Sequence, residues 1–306
     1  MKARVTLKSV LLPNGETLGY RERDGGEEVL LLIHGNMNSS YHWDVALERL
    51  DPRYKLYAID LRGFGISTYH EPIRALRDLA DDVKLFSREL ELDRLAVMGW
   101  STGGGVAMEL AADWPETVTK LILLASVSTR GYPFHEDGGS GLPDRGRRIV
   151  SYAGIEALER NRLIAAAIAR GDRVFLKRLY EAVIYDKNRP EEAHYEAYLD
   201  DMLTQRNLMD IYHALNTFNV SMFDHEAAAG SGAVRRIAAP TLVLRGDRDM
   251  VISEAMAAET LADLGEIARF IPLKDCGHSP LVDDPAQLLQ AVEAFLAADI
   301  VMQPEV

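Results

Sequence analysis

The chain has 306 residues, of which 47% are hydrophobic and 26% are charged, a balance typical of a soluble globular protein with a sizeable core. Its formal net charge is -13, so nucleic acids and anionic membrane surfaces are electrostatically poor partners, and a neutral substrate is favoured. A single cysteine, Cys276, excludes an intrachain disulfide and with it a disulfide-stapled secreted scaffold.

The beginning of the chain alternates in polarity and then turns at Pro13, Asn14 and Gly15, where a signal peptide would need an unbroken apolar run. No apolar segment approaches the roughly 18 residues that a membrane-spanning helix requires. We therefore predict a soluble, cytoplasmic protein with no membrane partner. Export as a folded protein is the alternative that these observations leave open. The oligomeric state is left open by these observations.

The N-terminal part of the chain predicts a hairpin followed by alternating strands and helices. Residues 4–12 and 17–23 flank the turn and predict an antiparallel pair. The short apolar run at 29–34 is typical of a strand covered on both faces. Further strands are predicted at 54–60, 95–100 and 120–126, and helices at 76–90 and 101–113. This alternation predicts a parallel sheet with helices on both faces.

The alternation stops after about Ala125 and resumes near residue 240. Residues 128–146 are rich in Gly and Pro and predict a loop, and residues from about 147 to 226 predict helices without a strand. Strands at 240–246 and 268–273 and helices at 253–264 and 285–298 follow, the last with Asp284 as its cap and Pro285 at its first position. We predict an α/β core of residues 1–127 and 233–306, with an eight-stranded, mostly parallel sheet, interrupted by a helical cap, or lid, at 128–232.

The segment from Gly99 to Gly103 matches G-x-S-x-G between a predicted strand and a predicted helix, with Ser101 at its centre. Such a turn projects a serine hydroxyl above the sheet, beside the backbone N–H groups of a helix N-terminus. A glycine-rich turn of this kind also suits a phosphate cradle, but the lysine of a P-loop and a G-x-G-x-x-G register are both missing. The pattern therefore favours a nucleophile over a purely structural turn.

A serine nucleophile needs a base and an acid that orients the base. His278 follows the last predicted strand and is the best-placed base; the alternative is a polar loop histidine. Asp247 and Asp249 both follow the strand at 240–246. We predict Asp249 as the acid, because the intervening turn lets it reach back toward His278, whereas Asp247 suits an aspartate that bonds its own turn.

The turn after the strand at 29–34 is the candidate second half of an oxyanion hole. It begins His34-Gly35-Asn36-Met37, and the predicted donors are the backbone N–H groups of Asn36 and Thr102. A plain turn, with a serine after it capping a helix, is the alternative. The neighbouring side chains Met37, Trp100 and Met250 are predicted to line a substrate pocket.

Five motifs follow the expected strands: "HGN", "DLRGFGIST", "GWSTGG", "GDRD" and "GH". Because they occur in the order typical of the α/β-hydrolase family, the chain resembles that family. The resemblance covers both flanks of the insertion. It implies the order nucleophile, acid, base, which Ser101, Asp249 and His278 follow. It also implies an eight-stranded α/β-hydrolase sheet and chemistry without a cofactor.

Resemblance to subfamilies is carried by the loops. The segment "HGNMNSSYHW" resembles haloalkane dehalogenases, but those enzymes need an aspartate nucleophile where Ser101 stands. Carbon–carbon hydrolases of the family often have an aromatic residue after the histidine, where this chain has Ser279. The segments "HGNMNSSYHWD", "YKLYAIDLRGFGIS" and "GWSTGG" also resemble intracellular short-chain polyhydroxyalkanoate depolymerases.

These observations predict a serine hydrolase of carboxylic esters, acting on short acyl chains or on 3-hydroxyalkanoate oligomers or polymer. A ligand-binding receptor on the same fold, with little or no catalysis, is the alternative from another class. No Cys/His cluster or H-E-x-x-H motif is present, so no metal is predicted. Aromatic residues of the insertion are expected mostly to pack helices, with a minority facing the nucleophile: Phe134, Tyr152, Phe175, Tyr180, Phe218 and Phe223.

Overall fold

The computed structural model describes residues 4–139 and 142–298. Residues 1–3 and 299–306 of the predicted core, and residues 140–141 of the predicted loop, lie outside the described residues. The strands in the described part are β1 (Val5–Leu11), β2 (Thr17–Arg23), β3 (Glu28–Ile33), β4 (Tyr54–Ile59), β5 (Leu95–Trp100), β6 (Val118–Leu124), β7 (His135–Asp137), β8 (Pro143–Arg148), β9 (Thr241–Gly246) and β10 (Ala268–Leu273).

Helices connect the parallel strands of the main sheet, as crossover connections require, and two further helices follow the last strand. The helices are α1 (Asp44–Arg49), α2 (Leu76–Glu89), α3 (Thr102–Asp113), α4 (Tyr152–Ala157), α5 (Glu159–Arg170), α6 (Arg173–Val183), α7 (Glu192–Met202), α8 (Leu208–Thr217), α9 (Glu254–Leu264), α10 (Pro280–Asp283) and α11 (Pro285–Ala297). Short 3₁₀ helices cover Ser40–Trp43, Ala233–Arg236 and Gly265–Ile267. No helix of the described residues is long and apolar enough to cross a membrane.

The main sheet confirms the predicted α/β-hydrolase architecture. Its eight strands lie in the order β1-β2-β4-β3-β5-β6-β9-β10. The pairs β1–β2 and β2–β4 are antiparallel and the remaining pairs are parallel, so β2 alone runs against the others. The predicted hairpin and all six later strands are present. The carboxyl ends of β3, β5, β9 and β10 therefore meet at one edge of the sheet.

Each face of the sheet has its own covering helices, because successive strand residues point to opposite faces. In β5, Val97 lies in one cluster of buried side chains, and Met98 and Trp100 lie in the other. The first cluster also contains buried residues of α2 and α3, and the second contains those of α1 and α11. The cap of α11 is as predicted: the Asp284 side chain accepts from the N–H of Gln287, and Pro285 is the first helical residue.

The described residues between β6 and β9 contain five α-helices, α4–α8, the 3₁₀ helix Ala233–Arg236 and a small separate sheet. We call residues 128–232 the insertion. The prediction of a loop over residues 128–146 is wrong in part, because β7 and β8 pair antiparallel there. Strand β8 has the sequence PDRGRR and is almost wholly exposed, so it lacks the alternation of apolar residues by which a strand is recognised in sequence.

Candidate active site

Ser101 is the single residue between the end of β5 and the start of α3. Its backbone has φ 55° and ψ -117°, a positive φ that is strained for a residue with a side chain. A Cβ on Gly99 would collide with the carbonyl oxygen of Gly103, and a Cβ on Gly103 would collide with that of Ile33. The glycines at these two positions are therefore required for strand and helix to approach as closely as this turn demands.

Three side chains from three strand ends meet at this turn. Nε2 of His278 lies 3.1 Å from Oγ of Ser101, and Nδ1 of His278 lies 3.1 and 3.0 Å from the two carboxylate oxygens of Asp249. His278 follows β10 and Asp249 follows β9, as the sequence placed them. The other candidate acid, Asp247, is exposed and does not contact His278 within the described residues. The geometry is that of a nucleophile, a base and an orienting acid.

Asp249 is held in its ionised form. Burial opposes ionisation, but the interaction with His278 and the backbone N–H groups of Ile252 and Val251 outweigh it, so the pKa of Asp249 lies below its ordinary value. An ionised Asp249 accepts the Nδ1–H of His278, which leaves Nε2 free to accept the proton of Ser101.

The loop of His278 is supported from the core and from the insertion. The indole N–H of Trp100 donates to the carbonyl oxygen of His278 at 2.9 Å. The N–H of Gly277 donates to Asp283, whose other carboxylate oxygen accepts from the backbone N–H of Asn188, a residue of the insertion. The position of the imidazole thus depends on both parts of the molecule.

Residues 34–39, which we call the β3 turn, lie against Ser101. A Cβ on Gly35 would lie 3.1 Å from Cβ of Ser101. The backbone N–H groups of Asn36 and Thr102 donate to no protein acceptor among the described residues, so both are available to a ligand. Met37 has φ 60°, the left-handed region that side chains disfavour, and the turn therefore needs contacts from outside to hold it.

His34 anchors the start of the β3 turn. Its Nε2 accepts the N–H of Leu61 at 3.0 Å, so Nδ1 carries the proton and donates to the carbonyl oxygen of Gly35. Burial lowers the pKa of His34, which favours this neutral form. The ring is therefore a structural brace and is not available as a base.

The three side chains predicted to line a pocket have different environments. Met37 is buried within the β3 turn, and Met250 is 58% exposed beside Asp249. Trp100 is 1% exposed and packs edge-on against Trp43 in the core cluster of α1 and α11. The centroid of its ring also lies 5.9 Å from that of His278, and its N–H holds the His278 loop. That these three side chains line a substrate pocket stays a prediction.

Three residues of the insertion that no motif identified also contact the β3 turn. The Tyr180 hydroxyl donates to the carbonyl oxygen of Met37 at 3.2 Å. Nε2 of Gln205 donates to Oδ1 of Asn36 at 2.8 Å, and Asp201 accepts the hydroxyl of Ser39 at 2.5 Å. Tyr180 was named from the sequence, as one of the aromatic residues of the insertion, but neither Gln205 nor Asp201 was. Within the described residues, no group of three or more His, Cys, Asp or Glu side chains could hold a metal ion.

Comparison with known proteins bears on the family and the fold. The model of the Alpha/beta hydrolase family matches residues 30–291. The chain is 28% identical over 285 residues to the pimeloyl-[acyl-carrier protein] methyl ester esterase of Nitrosomonas europaea, covering 90% of this chain and 98% of that protein. It is 26% identical over 298 residues to the 2-hydroxy-6-oxononadienedioate/2-hydroxy-6-oxononatrienedioate hydrolase of Klebsiella pneumoniae, covering 92% of each.

A solved structure supports the same architecture. An esterase from Exiguobacterium antarcticum superposes with a TM-score of 0.75 at 17% sequence identity, over 96% of this chain and 100% of that chain. At this identity the likeness concerns the fold alone. Relatives with hydrolase and esterase names thus span nearly the whole chain.

Proposed function

The chain belongs to the alpha/beta hydrolase family, and from this premise we propose that it is a serine hydrolase that cleaves carboxylic esters. The observation that carries the proposal is the series of hydrogen bonds from Ser101 through His278 to Asp249, with the serine in a strained turn. The relative named as a methyl ester esterase supports an ester as the substrate class.

In the proposed reaction, Nε2 of His278 takes the proton of Ser101 as Oγ attacks the ester carbonyl. The carbonyl oxygen becomes an oxyanion, which the N–H groups of Asn36 and Thr102 stabilise. His278 then donates the proton to the leaving alcohol, leaving an acyl group on Ser101. A water molecule, deprotonated by His278, attacks the acyl carbonyl and releases the acid, and the proton returns to Ser101.

We propose short acyl esters and soluble 3-hydroxybutyrate oligomers as substrates, with the insertion acting as a lid that sets chain-length preference. The contacts of Tyr180 and Gln205 support this role, since they place the insertion on the β3 turn beside Ser101. The loop resemblance to polyhydroxyalkanoate depolymerases favours the oligomers. A polymer would enter such a site as a chain end, because a pocket of several hundred cubic ångströms holds only a drug-sized ligand.

A series of p-nitrophenyl esters, from acetate through butyrate and octanoate to palmitate, tests this function with Ser101→Ala as the blank. We expect turnover of the shorter esters and labelling of Ser101 by a fluorophosphonate probe. Release of 3-hydroxybutyrate from its oligomers is the second assay. Hydrolysis of simple esters without that release would discard the depolymerase function and leave a general carboxylesterase.

The same assays decide between an enzyme and a receptor. A ligand-binding receptor on this fold would bind esters or their products without turnover. The Klebsiella relative also raises hydrolysis of carbon–carbon bonds, but Ser279 stands where such enzymes often have an aromatic residue. A wild-type protein that shows neither ester turnover nor fluorophosphonate labelling would overturn the proposal.

A further inference from the structure

Gln205 connects the insertion to the β3 turn by a series of side-chain amides. It lies between α7 and α8 and is 5% exposed. Its Nε2 donates to Oδ1 of Asn36 at 2.8 Å and to Oδ1 of Asn207 at 3.0 Å. Nδ2 of Asn207 in turn donates to the carbonyl oxygen of Arg62 at 2.7 Å.

This series has a fixed direction. The backbone carbonyl of Arg62 can only accept, so Asn207 must present Nδ2 to it and Oδ1 to Gln205. Gln205 must then present Nε2 to both asparagines, because its oxygen would otherwise face two acceptors. The Asn36 side chain is thereby held by its oxygen, and its backbone carbonyl is held separately by Nδ2 of Asn38 at 2.9 Å.

Gln205 does not satisfy its own hydrogen-bonding capacity in this position. Its Oε1 is buried and has no partner among the described residues. Buried polar atoms are nearly always paired, and the exceptions cluster where a function requires them. A side chain that served only to dock the insertion would be expected to use both ends of its amide.

We propose that Gln205 is a positioning residue for the oxyanion hole: by holding the Asn36 side chain, it fixes the backbone N–H of Asn36 beside Ser101. The need for such a hold follows from φ 60° at Met37, the next residue, since a turn in a disfavoured conformation relaxes when its contacts are lost. This inference rests on the proposed function, in which that N–H stabilises the oxyanion. The insertion thus contributes to the chemical step as well as covering the site.

Gln205→Met keeps the length of the side chain and removes the donor. We expect kcat for p-nitrophenyl butyrate to fall about tenfold or more, less than the 10²–10³ that the loss of an oxyanion donor costs. KM should stay nearly constant, because the oxyanion forms only in the transition state. Gln205→Leu, which removes the donor with a shorter apolar side chain, should lose kcat similarly and covers the case in which the methionine variant folds poorly.

Thr204→Val is the matched control. The Thr204 hydroxyl also joins the insertion to the core, one residue away, by accepting the N–H of Gly65 at 2.8 Å, but it does not contact the β3 turn among the described residues. We expect its kcat to remain near that of the wild-type protein. An equal loss of kcat in Thr204→Val and Gln205→Met would mean that both act by docking the insertion, and it would overturn the proposal.

A double-mutant cycle with Asn36→Ala tests whether Gln205 affects kcat through the Asn36 side chain. Asn36→Ala keeps the backbone N–H and removes the side chain that Gln205 holds. In this background, Gln205→Met should change kcat by less than about twofold, since contacting residues of one network are not additive. If Gln205→Met lowered kcat by the same factor in both backgrounds, Gln205 would act through a contact other than that with Asn36. If Gln205→Met alone left kcat unchanged, Gln205 would have no role in positioning the oxyanion hole.

The second-order rate of fluorophosphonate labelling of Ser101 separates this proposal from the proposed function. Labelling also places negative charge on an oxygen next to Ser101, so Gln205→Met should slow it by a similar factor even where no ester is turned over. A wild-type protein that is labelled but hydrolyses no ester would overturn the esterase proposal and leave the positioning role testable by labelling. A wild-type protein that is not labelled would overturn both.

Discussion

Ser101, His278 and Asp249 are linked by hydrogen bonds in series, so the effects of replacing them should not be additive. We expect Ser101→Ala and His278→Ala each to reduce kcat/KM by roughly 10⁴–10⁶, with the double variant hardly worse than either single one. Asp249→Asn should cost about a hundredfold or more, because an amide can hold the wrong tautomer of His278. Steady-state kinetics with p-nitrophenyl butyrate measure all four.

The chain offers an internal control for the acid. Asp247 lies in the same turn as Asp249 but is exposed. Asp247→Asn should therefore keep wild-type kinetics. If Asp249→Asn were equally active, the acid would have to be sought at another strand end.

Cys276, two residues before His278, should be inert to thiol reagents. It is fully buried, and burial raises the pKa of its thiol to about 12. At about pH 8 only one thiol in roughly ten thousand is then ionised, and the thiolate is the reactive form. Iodoacetamide should label this residue in guanidinium but not in the folded protein, as followed by mass spectrometry.

Activity provides the complementary readout for Cys276. The enzyme should keep its turnover after prolonged treatment with iodoacetamide, and Cys276→Ala should respond identically. Rapid inactivation of the wild-type protein, absent in Cys276→Ala, would show that the loop opens to solvent in the native state.

The contacts of the candidate site that could be predicted from sequence are those between residues at strand ends and in short motifs. Ser101 is marked by flanking glycines, and the strand-end rule led to Asp249 and His278. Gln205 and Asp201 contact partners 169 and 162 positions away, and no local pattern accompanies them. Such contacts depend on how the insertion packs on the sheet edge, which neither spacing nor residue type reveals.

Among the elements, strands with apolar runs were predictable, and the small antiparallel pair β7–β8 was not. The inner strands β3, β4, β5 and β9 are largely buried, so their continuous apolar runs report their position. Strand β8 instead presents charged residues to solvent. The bounds of the insertion remain a proposal, because the break in strand–helix alternation locates them only approximately.

Helix α7 is tied to the core by Asp201, and we expect that contact to be important for stability. Asp201 accepts the Ser39 hydroxyl and lies 3.2 Å from Nδ1 of His42. Asp201→Asn replaces a charged acceptor with a neutral amide in a buried site. The free energy of unfolding should fall by about 1–3 kcal/mol at neutral pH, as measured by urea titration.

The same contact should be sensitive to acid. Burial raises the pKa of Asp201, but the hydrogen bonds from His42 and Ser39 outweigh it, so the pKa in the folded state lies below the unfolded value. The contribution of Asp201 is therefore fully present above the unfolded pKa of an aspartate and is lost as pH falls through the lower, folded value. The stability difference between the wild-type protein and Asp201→Asn should shrink in that window.

Asp200 is the matched control for α7. It is 69% exposed and pairs with Arg173 on the surface of the insertion. Exposed ion pairs contribute little, so Asp200→Asn should leave the urea midpoint nearly unchanged. Equal destabilisation by the two variants would mean that the charge of α7 matters more than its contact with Ser39 and His42.

At the scale of the whole molecule, one cluster of buried apolar side chains joins the sheet to the insertion. It includes Leu31 and Val97 of the sheet and Ile155, Leu199 and Ile211 of the insertion. Separating the two parts would expose this surface to water at a cost of roughly 25 cal/mol per Å². The insertion and the core should therefore depend on each other for stability.

We expect the chain to unfold in a single cooperative transition, and its tryptophans make this testable. Trp43, Trp100 and Trp114 all lie outside the insertion, so their fluorescence reports chiefly the core. Far-UV circular dichroism also reports α4–α8 of the insertion. The urea transitions followed by the two signals should coincide, as they do for one cooperative unit. An earlier transition in circular dichroism that fluorescence does not detect would make the insertion an independent unit, able to release the β3 turn while the sheet stays folded.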